Sequence, residues 1–187
     1  MTPQETFIKK HKNEVIQATL GTGLFPSVKM AQMILESGWG KGYAVEKANN
    51  YFGIKADSSW KGDKVALPTP KDANKVSYFR KYSSVQDSIK DHSDFLKKQG
   101  RYAKAGLFNA RNYSEQIDSL VKGGYAESKD YANTLNSIID KYKLKDLDKE
   151  ARLRSGQKDN TIAIIITIVV GVVLYKILNK KLKTWKL

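Results

Sequence analysis

The stretch SVKMAQMILESGWG, Ser27 to Gly40, decides how this chain is read. Val28, Met30, Ala31, Met33, Ile34 and Leu35 recur on more than one side of a helical turn, so the spacing predicts a helix buried all round. Gly38 and Gly40 end it. Glu36 is the odd residue, because it closes an apolar helix where the local dipole is already negative. Desolvation and that dipole both disfavour the carboxylate, so its pKa is expected to rise. A carboxyl group that keeps its proton near neutrality is what glycoside cleavage asks of a general acid. A solvated helix end or a pairing with Lys41 is the plainer alternative.

Working outward, Trp39, Tyr43, Tyr51, Phe52 and Trp60 fall close after Glu36, several beside Gly or Asn. Sugar rings stack on aromatic faces, so a glycan groove fits, although any single aromatic belongs to a core more often than to a binding platform. Before this stretch, Phe7, Ile8, His11 and Val15 share a face of a helix begun near Pro3. After it, residues 56–82 carry turn signals between short β-type runs at Val65–Leu67 and Val76–Phe79, which predicts a small β-lobe. Helical spacing returns with Ser84 as N-cap and Val85, Ile89, His92 and Leu96 on one face, which makes His92 a core or supporting residue. Further helices are expected from Ser114 to Gly123-Gly124 and with Tyr131, Leu135, Ile138 and Tyr142 on one face. The fold class is therefore α+β, predominantly α.

The chain has 187 residues, no cysteine and two histidines. Disulfides and thiolate chemistry are excluded, and no multi-histidine metal centre or other cofactor is expected. Half of the net charge of +14 lies in residues 149–187. There it flanks the run TIAIIITIVVGVVLY from Thr161, which continues through Lys176 to Leu178. These 18 residues would make about 27 Å of helix at ~1.5 Å per residue, close to a bilayer core. A single membrane-spanning helix over 161–178 is expected, with a charged juxtamembrane linker at 149–160 and a basic tail at 179–187. The flanking basic charge suits lipid headgroups better than nucleic acid, for which no motif appears. No N-terminal secretory signal is expected either. Residues 176–187 hold five lysines against four basic residues in 146–160, a slight lean toward an inward tail.

The set Ser27-Val28-Lys29-Met30-Ala31-Gln32, Ile34-Leu35-Glu36-Ser37-Gly38-Trp39-Gly40 and Asn49-Asn50-Tyr51-Phe52-Gly53-Ile54-Lys55 resembles the glucosaminidase family of bacterial autolysins, flagellar peptidoglycan hydrolases and phage endolysins (glycoside hydrolase family 73). Trp60-Lys61-Gly62, Phe79-Arg80-Lys81-Tyr82, Ser88-Ile89-Lys90-Asp91-His92, Arg101-Tyr102, Gly124-Tyr125-Ala126 and Tyr131-Ala132 follow in the same order. The resemblance spans residues 5–142 within an expected domain of 1–148. It implies a lysozyme-like fold and cleavage of the β-1,4 bond after N-acetylglucosamine in peptidoglycan glycan strands. It also implies Glu36 as general acid and Tyr125 as an active-site tyrosine. Trp39, Asn50, Tyr51, Phe52, Trp60, Tyr82 and Tyr131 are the expected substrate-binding residues.

Two departures stand out. Where the family usually reads GYATDP, Glu127, Ser128 and Lys129 follow Tyr125-Ala126. Where many members carry a Thr-x-Glu second carboxylate, this chain reads Thr69-Pro70-Lys71-Asp72, so Lys71 takes the place of the Glu. Asp72 is the nearest substitute, ahead of Asp57 and Asp63; assistance by the substrate's acetamido group or a water placed by Tyr125 are alternatives. The expected protein is thus a membrane-anchored wall hydrolase of a virion membrane or bacterial envelope, such as a phage lysin, with virion or envelope proteins as further partners. A non-catalytic wall-binding module and a membrane-permeabilising protein are the competing functions.

Overall fold

A computed structural model describes the backbone of residues 1–184 except 70, 71, 127 and 129; side chains at 69, 72–74, 158–161, 163–164 and 173–184 also lie outside the described residues. The chain divides into two units, Met1–Ala151 and Arg152–Leu187.

In the first unit, helix α2 (Pro26–Ser37) is the centre around which the rest is packed. Ten of its residues are buried, including Ser27, Lys29 and Gln32 among the apolar ones, and α1 (Pro3–Gln17), α6 (Tyr113–Lys122) and α7 (Tyr131–Lys141) pack on it. Pro26 opens α2 where a missing N–H costs nothing. The side chain of Asp148 caps it from across the fold, accepting from the Ser27 N–H at 2.8 Å and from the Ser27 hydroxyl at 2.7 Å. A buried anion is tolerated there because the helix N-terminus presents free N–H groups and a positive dipole end. At the other end Gly38 takes the left-handed conformation, φ 55°, and Trp39 N–H returns to the Ile34 carbonyl. That turn leaves Glu36 in the last helical turn with its side chain at the surface.

Strands β1 (Lys64–Thr69) and β2 (Asp72–Arg80) form the β-lobe, an antiparallel pair running from Lys64↔Arg80 to Pro68↔Val76 before its register shifts at Thr69. Val76 and Tyr78 are exposed along it, whereas Leu67 and Arg80 are buried. The loop after the short helix α3 (Tyr43–Ala48) is stitched to β2: Arg80 N–H donates to Ile54 O and Ala56 N–H to Tyr78 O. Helix α4 (Val85–Lys98) begins at Ser84, whose hydroxyl accepts from Asp87 N–H. A short helix α5 (Gly100–Lys104) and a 3-10 turn at Leu107–Asn109 lead to α6, capped by Asn112 on Glu115 N–H.

Helix α8 (Lys145–Thr184) begins in the first unit and makes up the described part of the second. The linker expected over 149–160 is helical, since nothing in KEARLRSGQKDN breaks a helix and Gly156 is tolerated as a single residue. Within the apolar run, Ile162, Ile165, Ile166, Ile168, Val169, Val170 and Val172 are exposed. Among the described residues no helix is long and apolar enough to cross a membrane. The expected span 161–178 lies partly outside them, because its side chains at 161, 163, 164 and from 173 onward are not described.

Candidate active site

A groove of about 470 Å³ opens beside the end of α2, lined by Glu36, Phe52, Asp57, Arg101, Tyr102 and Tyr125 together with Gly53 to Lys55, Phe95 and Ala126. Glu36 reaches water through it, but protein crowds the carboxyl on its other sides. This desolvation pushes its pKa up to about 7, against a small opposing pull from the Tyr131 hydroxyl, which stands 3.5 Å from Glu36 Oε1. Water in the groove weakens the shift without reversing it. Tyr131 is itself held from behind by Gln32, one turn before Glu36 on α2, whose Nε2 donates to its hydroxyl at 3.0 Å.

Tyr125 enters because the end of α6 approaches Tyr102 closely. A Cβ on Gly123 would meet the Tyr102 ring at 2.5 Å, and Tyr125 N–H closes the turn on Leu120 O. The half-buried Tyr125 ring stacks near Tyr131, 5.7 Å between centroids, and lies 6.1 Å from Tyr102. Burial raises the Tyr125 hydroxyl well above its ordinary value, so it keeps its proton. Its oxygen is 3.0 Å from His92 Nε2.

Asp57 is the second carboxylate among the described groove residues. Hydrogen bonds from the Ser59 hydroxyl and backbone N–H lower its pKa, and Arg80 lies 3.7 Å away. The groove therefore holds one carboxyl pushed toward its acid form and another held as an anion, the division of labour acid–base chemistry requires. The side chain of Asp72, at the start of β2, lies outside the described residues, as do Lys71, Glu127 and Lys129.

The other expected binding residues separate by place. Phe52 lines the groove, yet one ring face is spent on His92, stacked at 3.9 Å. Asn50 is buried and clamps the loop, donating to Ile54 O and Arg80 O and accepting from Ile54 N–H. Tyr82 is buried with its hydroxyl on Asp91, which also takes two bonds from Arg80; Trp60 covers the same guanidinium at 4.5 Å. These three residues shape the groove's frame. Tyr51 packs on Phe7 and His11, and Trp39 on Phe7 and Tyr142, beside a separate groove bordered by α7. Arg101 and Tyr102 had no site role in the sequence reading. Arg101-Tyr102 was visible only as a motif fragment, and Asp57 only as a lesser candidate.

A further cavity, about 580 Å³, lies between α1 and α4 and is lined by Glu14, Leu20, Lys90, Asp94 and neighbours. No aromatic ring lines it, so it lacks the stacking surface that a sugar needs. Among the described residues no group of three or more His, Asp or Glu could hold a metal ion.

The family model for glucosaminidase, described as mannosyl-glycoprotein endo-beta-N-acetylglucosaminidase, matches residues 12–144. The chain belongs to the glucosaminidase family. It carries a glycoside hydrolase domain of that family, with the lysozyme-like, mostly helical fold and small two-stranded sheet. The exo-glucosaminidase LytG of Bacillus subtilis is 34% identical over 153 residues, covering 74% of this chain and 54% of that protein. The peptidoglycan hydrolase FlgJ of Vibrio parahaemolyticus is 36% identical over 146 residues, covering 73% and 47%. The chain thus spans about half the length of the curated relatives it matches. Among solved structures, the catalytic domain of the autolysin Auto from Listeria monocytogenes superposes with a TM-score of 0.67 at 30% identity, over 79% of this chain and 89% of that one. The glycoside hydrolase domain of Salmonella typhimurium FlgJ gives 0.64 at 30% identity, over 86% and 99%.

Proposed function

We propose that this glucosaminidase domain hydrolyses the β-1,4 bond after N-acetylglucosamine in peptidoglycan, with Glu36 as general acid. The observation that carries this reading is the Glu36 carboxyl, pushed up to about 7 in a groove walled by Phe52, Tyr102 and Tyr125. A protonated Glu36 gives its proton to the departing glycosidic oxygen as the sugar develops oxocarbenium character. Tyr125 orients the attacking water, and an anionic carboxylate, Asp57 or Asp72, supports the positive charge or takes the water's proton. Substrate choice is supported by relatives named for peptidoglycan hydrolysis. A zymogram on purified wall, with mass analysis of the new reducing ends, tests it. Clearing with N-acetylglucosamine ends, lost in Glu36→Gln, is the expected result. Binding to wall without clearing would favour the non-catalytic module.

We also propose that residues 161–178 anchor the domain to a lipid membrane, in a virion membrane or a bacterial envelope. The uncharged run from Thr161 to Tyr175 and the exposed Ile and Val side chains between Ile162 and Val172 support this. The full chain should float with anionic vesicles and a chain lacking 161–187 should not; equal flotation of both would remove the anchor. Protease protection of the domain in intact particles would count against a virion-surface enzyme.

A further inference from the structure

Lysine is almost never fully buried without a charged partner, yet Lys29 is 2% exposed in the first turn of α2. Leu24, Leu96, Leu107, Leu120 and Gln116 surround it. Its Nζ makes two polar contacts, 2.9 Å to His92 Nδ1 and 3.4 Å to the Ile89 carbonyl, and sits 5.4 Å over the Phe52 ring. Neither polar partner is a carboxylate. The other nitrogen of His92 meets the Tyr125 hydroxyl at 3.0 Å. Phe52 stacks on the imidazole within 5° of parallel, which locks the ring plane. Lys29, His92 and Tyr125 therefore form one hydrogen-bonded line from the apolar core to the groove wall.

Burial and the neighbouring Lys29 charge hold the His92 pKa well below its ordinary value, so the ring is neutral and carries a single N–H. The line then has two self-consistent arrangements. With Lys29 as ammonium, Nζ donates to Nδ1, the ring proton is on Nε2 and points at the Tyr125 oxygen, and the hydroxyl hydrogen faces the groove. With Lys29 as amine, Nζ accepts from Nδ1–H, Nε2 accepts from the Tyr125 hydroxyl, and the oxygen lone pairs face the groove. Passing from the first to the second moves one proton from Nζ to Nδ1, one from Nε2 to the Tyr125 oxygen, and one from that oxygen to groove water. The charge of Lys29 leaves as a single proton, and no other reactant is needed.

We infer that Lys29, acting through His92, sets whether the Tyr125 hydroxyl donates or accepts a hydrogen bond in the groove. Lys29 and His92 are positioning residues and touch no substrate. The role assigned to Tyr125 rests on the glycosidase reading above; the line itself does not. Burial pulls the Lys29 pKa down to about 7, with Asp94 on α4 raising it and Lys97 on α4 lowering it. Facing Tyr125 at the far end are Tyr131, Glu36, Tyr102 and Tyr82.

The decisive measurement is the His92 tautomer in the full-length protein, read from the ring ¹⁵N shifts between about pH 5 and 9. The chain has two histidines, so a His11→Gln variant assigns the signals. The Nε2–H form should dominate at the acid end and give way to Nδ1–H near pH 7, and Lys29→Met should abolish the exchange. Tyr125→Phe, which keeps Lys29 and His92, should retain it. One tautomer throughout in the wild type, persistence of the exchange in Lys29→Met, or its loss in Tyr125→Phe each overturns the inference. In wall hydrolysis, Lys29→Met should lower kcat about tenfold with KM within about twofold; an unchanged kcat and pH profile would remove the link to Tyr125. Because the tautomer is read without turnover, it is measured equally well in Glu36→Gln. Survival of hydrolysis in that variant would sink Glu36 as the general acid and leave the Lys29 line standing.

Discussion

Glu36 and Lys29 sit two turns apart on one helix, and burial acts on them in opposite senses with one result. The carboxyl rises from 4.5 to about 7 and the amine falls from 10.5 to about 7, so the same apolar surroundings bring an acid and a base toward neutrality together. What differs is access. The side chain of Glu36 opens on the groove at the end of α2, where Gly38 turns the chain away. Lys29 is sealed behind Phe52 and His92 and reaches the groove only through hydrogen bonds. A shifted group is thus made reactive by its exit, and the shift alone does not distinguish a reacting residue from a supporting one.

The sharpest way to break this comparison is Glu36→Gln, which keeps the shape and removes the proton. Turnover on purified wall should fall about a thousandfold, whereas a loss of tenfold or less would return Glu36 to a structural role. Next comes the pH profile. With the acid at about 7, hydrolysis should decline roughly tenfold per pH unit above that value. Tyr125→Phe should cost about ten- to a hundredfold in kcat while the thermal midpoint stays close to wild type; equal losses in Asp57→Asn and none in Asp72→Asn would assign the second carboxylate.

Stability separates the two groups more finely, because their linkages have opposite signs. Glu36 has a raised folded pKa, so its contribution is complete below 4.5 and lost as pH rises through about 7. Lys29 has a depressed one, so its contribution is complete above 10.5 and lost as pH falls through about 7. Urea midpoints across pH should therefore show a slope near neutral to alkaline pH that Lys29→Met removes, at most about 1.4 kcal/mol per pH unit. Glu36→Gln should remove a weaker, opposite slope on the acid side. The smallest expected effect belongs to Gln32, between the two. Gln32→Leu removes the donor to Tyr131 and should cost about 1 kcal/mol; its main sign would be a further rise of the Glu36 limb, because Tyr131 is then free to reorient.

Much of the helical frame was legible residue by residue. The all-round burial of α2, the Ser84 cap and the two β runs follow from local pattern, since each depends on neighbours within a few positions. Helices α3 and α5 did not appear, being too short to show a period. The 149–160 segment, read from its polarity as a charged juxtamembrane linker, is helical because most of its residues are good helix formers. In the site, Glu36 declared itself by placing a charge in an apolar helix. Asn50 and Tyr82 did not disclose that their polar atoms were spent on the frame, because Asn50 bonds Arg80 O and Tyr82 bonds Asp91, partners chosen by folding.

The sequence by itself determined that Ser27 to Ser37 would be a buried helix ending in an isolated carboxyl, and the order of motifs after it determined the family. Periodicity and motif order are one-dimensional properties, so one dimension suffices to read them. Only the tertiary structure decided which distant residues meet that helix: Tyr131 from 95 positions away at Glu36, Asp148 from 121 away at Ser27, and His92 from 63 away at Lys29. The physical reason is that desolvation and hydrogen-bond partnership depend on everything nearby in space. Lys29 looked like one more basic residue among the chain's 33 until packing took its water away.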